Sequence, residues 1–316
     1  MFINVSFIGY GVKCMNDKFK GIFPAFYACY DENGEVSEER TKALANYLYH
    51  KGVKGLYVGG SSGECIYQNI IERKATLKYV AECLKGKLTL IAHVGAPSTR
   101  DSVTLAKYAE ELGYDALSAI PPIYFKLPES SISKYWFTII DSTNLPFVIY
   151  NIPQTTGYSL SMNLFKQMLT NEKVIGIKNS SMPVLDIERF KSVDEDRILV
   201  FNGPDEQFVA GRLMGADSGI GGTYGAMPEL FLKAEEFISN GQIKQAKNIQ
   251  KEINDIIIAL CSFEGSMYSA IKEVLKLNGI NVGSVREPLE AIPEKEFGKL
   301  GKLKKLIDET IAKYEG

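Results

Sequence analysis

Eight short apolar stretches alternate with eight amphipathic segments from Gly21 onward, and this pattern predicts an α/β fold: a (β/α)8 TIM barrel with a C-terminal helical extension. Each repeat takes roughly 27 residues, within the usual span of a strand–helix unit. Glycines follow several of the amphipathic segments, as is typical where a helix ends in the left-handed conformation; they are Gly52, Gly113 and Gly215. An open doubly wound sheet is the alternative, but no GxGxxG motif follows the first predicted strand.

The predicted strands are short apolar runs bounded by turn residues, which is typical of buried parallel strands. They are Gly21–Phe26, Gly55–Val58, Thr89–His93, Ala116–Ala119, Phe147–Tyr150, Val174–Lys178, Leu199–Asn202 and Ser218–Gly221. The predicted helices carry apolar residues at helical spacing, and Asn69 followed by Glu72 is a typical helix start. They are Ser37–His50, Asn69–Cys83, Asp101–Leu112, Ser130–Asp141, Ser161–Leu169, Val184–Val193, Glu206–Met214 and Met227–Asn240.

The pattern divides the chain into three regions. Residues 1–19 are predicted to be an N-terminal extension, compatible with a short edge strand, and without the positive segment and cleavage site of a signal peptide. Residues 20–240 are predicted to form the catalytic barrel. Residues 241–316 contain three helical patterns with no strand between them, which predicts a C-terminal three-helix extension.

Composition excludes several classes of function. The 316 residues are 45% hydrophobic, and 36 basic against 38 acidic residues give a formal charge of −2, so neither nucleic acid nor a membrane is a predicted partner. The five cysteines form no CxxC pair, which favours reduced thiols and a cytoplasmic protein. Only two histidines occur, His50 and His93, and neither has zinc-ligand spacing, so no metal is predicted. The small number of histidines also disfavours Ser-His-Asp hydrolysis, although the predicted position of His93 at a strand end does not exclude that class of enzyme.

Lys178 is the residue on which the functional interpretation depends. It ends the apolar run Val174–Ile177, so it is predicted to lie at the carboxyl end of the sixth strand, where barrels carry their active sites. Lysines are seldom buried, and burial disfavours the ammonium form, which leaves a nucleophilic amine able to attack a carbonyl. The alternative is a strand-end lysine that only reaches solvent.

Other polar residues follow neighbouring predicted strands. The loop Gly59–Glu64 combines glycines and hydroxyls, which suits a carboxylate or phosphate, although a plain turn is the simpler interpretation. Tyr150 ends the fifth strand and is either a proton-transfer group or a core aromatic residue. Asp205 and Glu206 follow the seventh strand, where they also suit a helix start. The loop after the eighth strand, Gly219–Tyr224, is a common phosphate position in barrels but carries no Arg or Lys.

A lysine, a tyrosine and a Gly/Ser loop at one end of a barrel are the parts of an imine-forming aldolase. The lysine forms the imine, the tyrosine moves protons, and the loop holds a carboxylate.

Three motifs together resemble the N-acetylneuraminate lyase and dihydrodipicolinate synthase family of pyruvate-dependent class I aldolases, and the likeness runs from about Gly21 to the C-terminus. They are Gly59–Glu64, Tyr150–Pro153 and Gly176–Lys178. Four stretches look like the sialic acid lyase branch of that family: Gly55–Ser61, Leu90–Gly95, Asp115–Ala119 and Tyr150–Pro153. The resemblance implies cleavage of N-acetylneuraminate to N-acetylmannosamine and pyruvate, no cofactor, and a homotetramer.

The resemblance also assigns roles to individual residues. It implies that Lys178 is the Schiff-base lysine, that Tyr150 transfers protons, and that Ser61 and Ser62 bind the substrate carboxylate. Tyr124 matches a tyrosine that reaches a neighbouring subunit's site. The residues that match the holders of the polyol tail are Gly203, Asp205 and Glu206, and Ser180 stands where these lyases usually have threonine.

Two departures bear on the substrate. Thr155 stands where dihydrodipicolinate synthases carry an arginine for a second carboxylate, which argues against that activity. Gly222 stands where sialic acid lyases commonly have serine, which leaves room for another 2-keto-3-deoxy sugar acid such as 2-keto-3-deoxygluconate. A non-catalytic barrel that senses a keto acid is the alternative of a different class, but a binder needs neither Tyr150 nor Lys178.

Overall fold

The computed structural model describes residues 17–315. Most of the predicted N-terminal extension, with its possible edge strand, lies outside the described residues. No helix within the described range is long and apolar enough to cross a membrane.

Eight parallel strands form one sheet, ordered β1-β8-β7-β6-β5-β4-β3-β2. The strands are β1 (Ile22–Pro24), β2 (Gly55–Val58), β3 (Thr89–His93), β4 (Ala116–Ala119), β5 (Phe147–Asn151), β6 (Val174–Asn179), β7 (Leu199–Asn202) and β8 (Ser218–Gly221). A parallel bridge between Ala25 and Tyr57 joins the two ends of this order and nearly closes the barrel. The predicted (β/α)8 barrel is therefore confirmed, and the open doubly wound sheet is wrong.

Twelve α-helices lie within the described residues. They are α1 (Glu38–His50), α2 (Ile70–Leu84), α3 (Thr99–Leu112), α4 (Glu129–Asp141), α5 (Pro153–Thr156), α6 (Met162–Met168), α7 (Leu185–Lys191), α8 (Phe208–Leu213), α9 (Pro228–Ser239), α10 (Ile243–Cys261), α11 (Met267–Leu277) and α12 (Phe297–Tyr314). Asn69 caps α2 and Glu72 completes a capping box, as the sequence predicts. The third helix begins two residues before its predicted start, because the Ser98 side chain caps it by accepting from the Asp101 N–H.

Aromatic and aliphatic side chains fill the barrel interior. They include Phe23 and Phe201, whose rings meet edge to face at 6.0 Å. Tyr57 and Tyr150 belong to the same interior cluster. Because the interior is a packed core and not a channel, small molecules are accommodated at the loops that follow the strands.

The C-terminal helices support two of those loops. On α10, Gln250 and Asn254 donate from their side-chain amides to the backbone carbonyls of Asp205 and Glu206, at 3.2 Å each. On α11, Lys272 forms a buried ion pair with Glu64, which lies in the loop after β2. The helical extension is thus bonded to the same end of the barrel that carries the predicted site residues.

Candidate active site

Lys178 lies near the carboxyl end of β6 and is buried, with 4% of its surface exposed. The register of the sheet pairs it with Tyr150 on β5. Its Nζ lies 4.0 Å from the centre of the Tyr150 ring and 4.3 Å from the centre of the Tyr57 ring. The side chain therefore points into the barrel between two aromatic faces, and the alternative of a solvent-reaching lysine does not describe this residue.

Tyr57, His93 and Tyr150 form an aromatic cluster around the Lys178 amine. The Tyr57 and Tyr150 rings meet edge to face at 5.8 Å, and His93 lies 6.0 Å from each of them. The Tyr57 hydroxyl donates to the Ser118 hydroxyl at 2.9 Å. Tyr57 was not predicted as a site residue, although its place at the carboxyl end of β2 is the signal that could have found it.

Both ring nitrogens of His93 are bonded to the backbone. Nδ1–H donates to the Gly59 carbonyl at 2.9 Å, and Nε2 accepts from the Ile120 N–H at 3.3 Å. Burial, and then the nearby Arg73 guanidinium, hold the pKa of His93 well below its ordinary value, so the ring is neutral at pH 7. This arrangement leaves no nitrogen for a serine or an aspartate, and the hydrolase interpretation of His93 is wrong.

Arg73 fixes the strand end that carries His93. Its guanidinium is buried and donates to the carbonyls of Gly95 at 2.7 Å and His93 at 2.8 Å. Such bonds to backbone oxygens hold the β3 end in one conformation. In the sequence, Arg73 is an ordinary arginine of a predicted helix, so its bonds to the end of β3 could not be predicted.

The predicted Gly/Ser loop after β2 is a tight turn. The Gly63 N–H donates to the Gly60 carbonyl at 3.0 Å, and the Glu64 N–H to the Ser61 carbonyl at 2.9 Å. Ser62 is buried and Ser61 is half-buried. Ser61 opens onto a cavity of about 210 Å³. His93, Thr155 and Tyr268 line the same cavity.

Glu64 closes this turn in the left-handed conformation, with φ of 51°, which is uncommon for a residue with a side chain. Its buried carboxylate accepts from Lys272 Nζ at 2.6 Å and from the Arg286 backbone N–H at 2.9 Å. Burial lowers the pKa of Lys272, and the Glu64 charge opposes that shift. The pair anchors the turn to α11, and the 208 positions between its members explain why the sequence did not reveal it.

Asp205 follows β7 and is buried, whereas Glu206 beside it is exposed. Oδ2 of Asp205 accepts from the Thr223 N–H at 2.6 Å and from the Thr223 hydroxyl at 2.7 Å. Oδ1 is buried and has no hydrogen-bond partner among the described residues. Burial raises the pKa of Asp205 from 3.8 to about 6, against the opposing effect of the Thr223 hydrogen bonds.

Ser180 and Gly203 lie side by side at the ends of β6 and β7. The Gly203 N–H donates to the Asn179 carbonyl at 2.9 Å. A Cβ at position 203 would lie 2.0 Å from the Ser180 hydroxyl, so only glycine allows the two loops to approach this closely. Both residues are half-buried at the mouth of the barrel.

Tyr124 is the predicted site residue that the structure does not place with the others. It is 92% exposed, has φ of 84°, and stacks edge to face on Phe125 at 4.9 Å. Phe125 is itself 72% exposed. Two large aromatic side chains in solvent are typical of a surface that contacts another molecule.

Fold and site together define a (β/α)8 barrel protein with a buried lysine at the carboxyl end of its sixth strand and a tyrosine beside it on the fifth. The chain belongs to the dihydrodipicolinate synthetase family, whose model matches residues 18–307. The predicted family resemblance is confirmed.

Three similar proteins carry names from the branch that the sequence motifs indicate. An N-acetylneuraminate lyase of Mediterraneibacter gnavus is 51% identical over 300 residues, which are 94% of this chain and 95% of that protein. The sialic acid aldolase of Ruminococcus gnavus, solved as a catalytic lysine mutant, has a TM-score of 0.93 at 51% identity and covers 94% of this chain and 98% of its own. An N-acetylneuraminate lyase of Fusobacterium nucleatum, solved with pyruvate, has a TM-score of 0.85 at 34% identity, with coverage of 91% and 97%.

Proposed function

We propose that this protein is a class I aldolase that cleaves N-acetylneuraminate to N-acetylmannosamine and pyruvate. The observation that carries the proposal is the burial of the Lys178 amine between the Tyr57 and Tyr150 rings at a barrel strand end. Identity of 51% to a named N-acetylneuraminate lyase supports the choice of substrate.

The substrate carboxylate binds at the turn after β2, where Ser61 and Ser62 supply hydroxyl donors. The glycines of that turn allow the carboxylate to approach the backbone closely. The hydroxylated tail extends toward the loops after β6 and β7, to Ser180, Gly203, Asp205 and Glu206. Oδ1 of Asp205 is the acceptor available to a substrate hydroxyl, because Oδ2 is already bonded to Thr223.

The chemistry begins when the neutral amine of Lys178 attacks the C2 ketone of the open-chain sugar. Tyr150 protonates the departing hydroxyl, water leaves, and a protonated imine remains beside a phenolate. The phenolate then takes the proton of the C4 hydroxyl, the C3–C4 bond breaks, and its electron pair moves into the enamine. Tyr150 gives this proton to C3 of the enamine and is again a phenolate. Water then hydrolyses the protonated imine, which releases pyruvate and the neutral lysine, and the phenolate takes up the proton set free.

A second candidate substrate is another 2-keto-3-deoxy sugar acid, such as 2-keto-3-deoxygluconate. The feature behind this candidate is Gly222, which has no side chain to contact the hydroxylated part of the substrate from the loop after β8. Dihydrodipicolinate synthesis is disfavoured by Thr155, which lies at the cavity edge and provides no positive charge for a second carboxylate.

The proposal includes a cytoplasmic homotetramer. Tyr124 would reach the site of a neighbouring subunit, and its exposure together with that of Phe125 supports such a contact. The scattered, odd-numbered cysteines support a reducing compartment.

The first test measures pyruvate release with a lactate-dehydrogenase-coupled assay on N-acetylneuraminate and on 2-keto-3-deoxygluconate. We expect a kcat/KM for N-acetylneuraminate at least tenfold higher, since each buried hydrogen bond to a matched substrate group contributes roughly that factor. A preference for the shorter acid would contradict the sialic acid assignment but not the aldolase. Absence of turnover and of a borohydride-trapped pyruvate adduct would favour the non-catalytic sensor.

A second prediction concerns Asp205 and pH. Because its pKa lies near 6 and not at 3.8, the carboxylate becomes protonated as the pH falls through about 6 and loses its charge-assisted bond to the sugar tail. We expect Asp205→Asn to raise the KM for N-acetylneuraminate by about tenfold at pH 8. The KM ratio of variant to wild type should then shrink toward one below about pH 5.

The ratio is the informative quantity, because titration of the substrate and of other site groups affects both proteins alike. The charged groups that influence Asp205 are Glu206 and Lys178, and both remain in the variant. A ratio that stays constant across the pH range would contradict a role for ionised Asp205 in binding.

A further inference from the structure

Tyr27, just past the end of β1, is a buried tyrosine that the proposed mechanism does not use. Its side chain is 1% exposed, and its ring meets the cavity-lining Tyr268 edge to face at 6.1 Å. Its hydroxyl donates to the Gly222 carbonyl at 2.5 Å. It therefore joins the end of the first strand to the loop after the eighth.

The same phenol faces the carboxylate-binding turn. Its pKa is raised, chiefly by burial and next by Tyr268 and Asp205, whereas a hydrogen bond with the Ser62 side chain opposes the shift. The backbone repeats this connection, because the Ala28 N–H donates to the Ser62 carbonyl at 3.3 Å and the Ala25 N–H to the Gly221 carbonyl at 2.8 Å. Tyr27 thus lies between the turn after β2 and the loop after β8.

Gly222 completes the arrangement. Its φ of −73° and ψ of −47° are open to any residue, so the backbone does not require glycine here. A Cβ at this position would lie 3.4 Å from Ser62 Oγ, 3.8 Å from the Tyr27 hydroxyl and 4.0 Å from Asp205 Oδ2, without a clash. Position 222 therefore faces three oxygens, and the hydroxyl that a serine would bring is already supplied there by Tyr27.

We propose that Tyr27 is a positioning residue for the substrate carboxylate: its phenol donates to the Gly222 carbonyl and so holds the loop after β8 against the turn that carries Ser62, in place of a side-chain hydroxyl at position 222. This rests on the proposed aldolase function, in which Ser62 binds the carboxylate of pyruvate and of the sugar acid. The phenol acts through Ser62 and does not itself touch the reacting atoms.

Tyr27→Phe tests the proposal, because it keeps the ring against Tyr268 and removes only the hydroxyl. The readout is the pyruvate concentration that gives half of the maximal borohydride-trapped adduct on Lys178, measured by intact mass. We expect this concentration to rise roughly tenfold, the size of one lost hydrogen bond to a buried group, while the maximal adduct is unchanged. KM for the sugar acid should rise with it, and kcat should stay within about twofold.

Tyr114→Phe is the matched control. Tyr114 is a buried tyrosine whose hydroxyl donates to the Leu77 carbonyl at 3.0 Å, away from the barrel mouth. Its loss should lower the thermal midpoint without changing the pyruvate concentration at half-maximal adduct. If Tyr27→Phe does no more than this control, Tyr27 is only structural and the proposal is overturned.

Gly222→Ser is the second test, and its measurement in the wild-type background does not depend on whether Tyr27→Phe folds. In the Tyr27→Phe background, the new hydroxyl should restore pyruvate binding to within about threefold of wild type, as expected for coupled neighbours. In the wild-type background, Gly222→Ser should leave the pyruvate concentration at half-maximal adduct unchanged. Tighter pyruvate binding there would show that the Tyr27 hydroxyl does not replace a serine hydroxyl at position 222, which overturns the proposal. Pyruvate trapping by wild type is scored separately, so failure of the aldolase assignment and failure of the Tyr27 role are distinguishable.

Discussion

Lys178→Met is expected to abolish turnover of N-acetylneuraminate and to remove the borohydride-trapped pyruvate adduct completely. A thioether cannot form an imine, and no other lysine lies at this point between the two tyrosine rings in the part of the chain that the structure describes. Methionine has nearly the length of lysine, so the space between the rings stays filled. The measurements are coupled pyruvate release and the mass of the borohydride-reduced protein.

Stability separates loss of chemistry from loss of fold. Replacing a buried amine by an apolar side chain of similar volume is commonly neutral or stabilising, so the thermal midpoint should be unchanged or higher. Lys166→Met on α6 is the matched control, since Lys166 is an exposed lysine in the last turn of its helix. If the adduct still forms in Lys178→Met but disappears in another lysine variant, that other lysine is the nucleophile and the assignment of Lys178 is contradicted.

The barrel was readable from the sequence because its signals are local. Each strand is a short apolar run followed by an amphipathic segment, and β2, β3, β4, β7 and β8 have their predicted bounds. Barrel topology then places every strand end on one face, so that Lys178 and Tyr150, on adjacent strands, are neighbours although 28 positions separate them along the chain. Local pattern and topology together predicted which residues converge.

The supporting residues were not readable, because their partners lie far away in sequence and the bonds leave no pattern. Lys272 looks like one more helical lysine until the fold brings it to the buried Glu64. Arg73 is an ordinary helical arginine whose acceptors are backbone carbonyls, which carry no sequence signal. In the sequence, Gly222 indicates only that a serine hydroxyl is absent from this position. The geometry shows that the Tyr27 hydroxyl lies beside it.

The distinction between converging and supporting residues has an energetic basis. Residues that touch substrate must have particular chemistry at a particular strand end, which restricts the sequence locally. Residues that fix the position of the substrate-contacting residues need only form a hydrogen bond with a buried donor or acceptor. Many side chains at many positions can do so. Motif reading therefore finds the first set, and only the structure finds the second.

Tyr150→Phe is expected to lower kcat for N-acetylneuraminate by about 10² to 10⁴, the usual contribution of a general acid–base group. The variant keeps the ring that packs on Lys178 at 4.0 Å and on Tyr57 at 5.8 Å, so the lysine stays in place. The pyruvate adduct should therefore still form on Lys178, more slowly, while cleavage of the C3–C4 bond is slowed by the larger factor. Single-turnover measurement of adduct formation beside steady-state kcat separates the two steps.

The identity of the proton carrier depends on this comparison. Tyr114→Phe again serves as the control, since it removes a buried phenol that has no place in the site. If Tyr150→Phe keeps kcat within tenfold of wild type, the phenol is not the main base, and the carboxylate of the substrate itself becomes the acceptor of the C4 proton. A keto sugar whose carboxyl group is amidated distinguishes the two outcomes. It lacks the carboxylate that would accept the C4 proton, so it can be cleaved only if Tyr150 carries that proton.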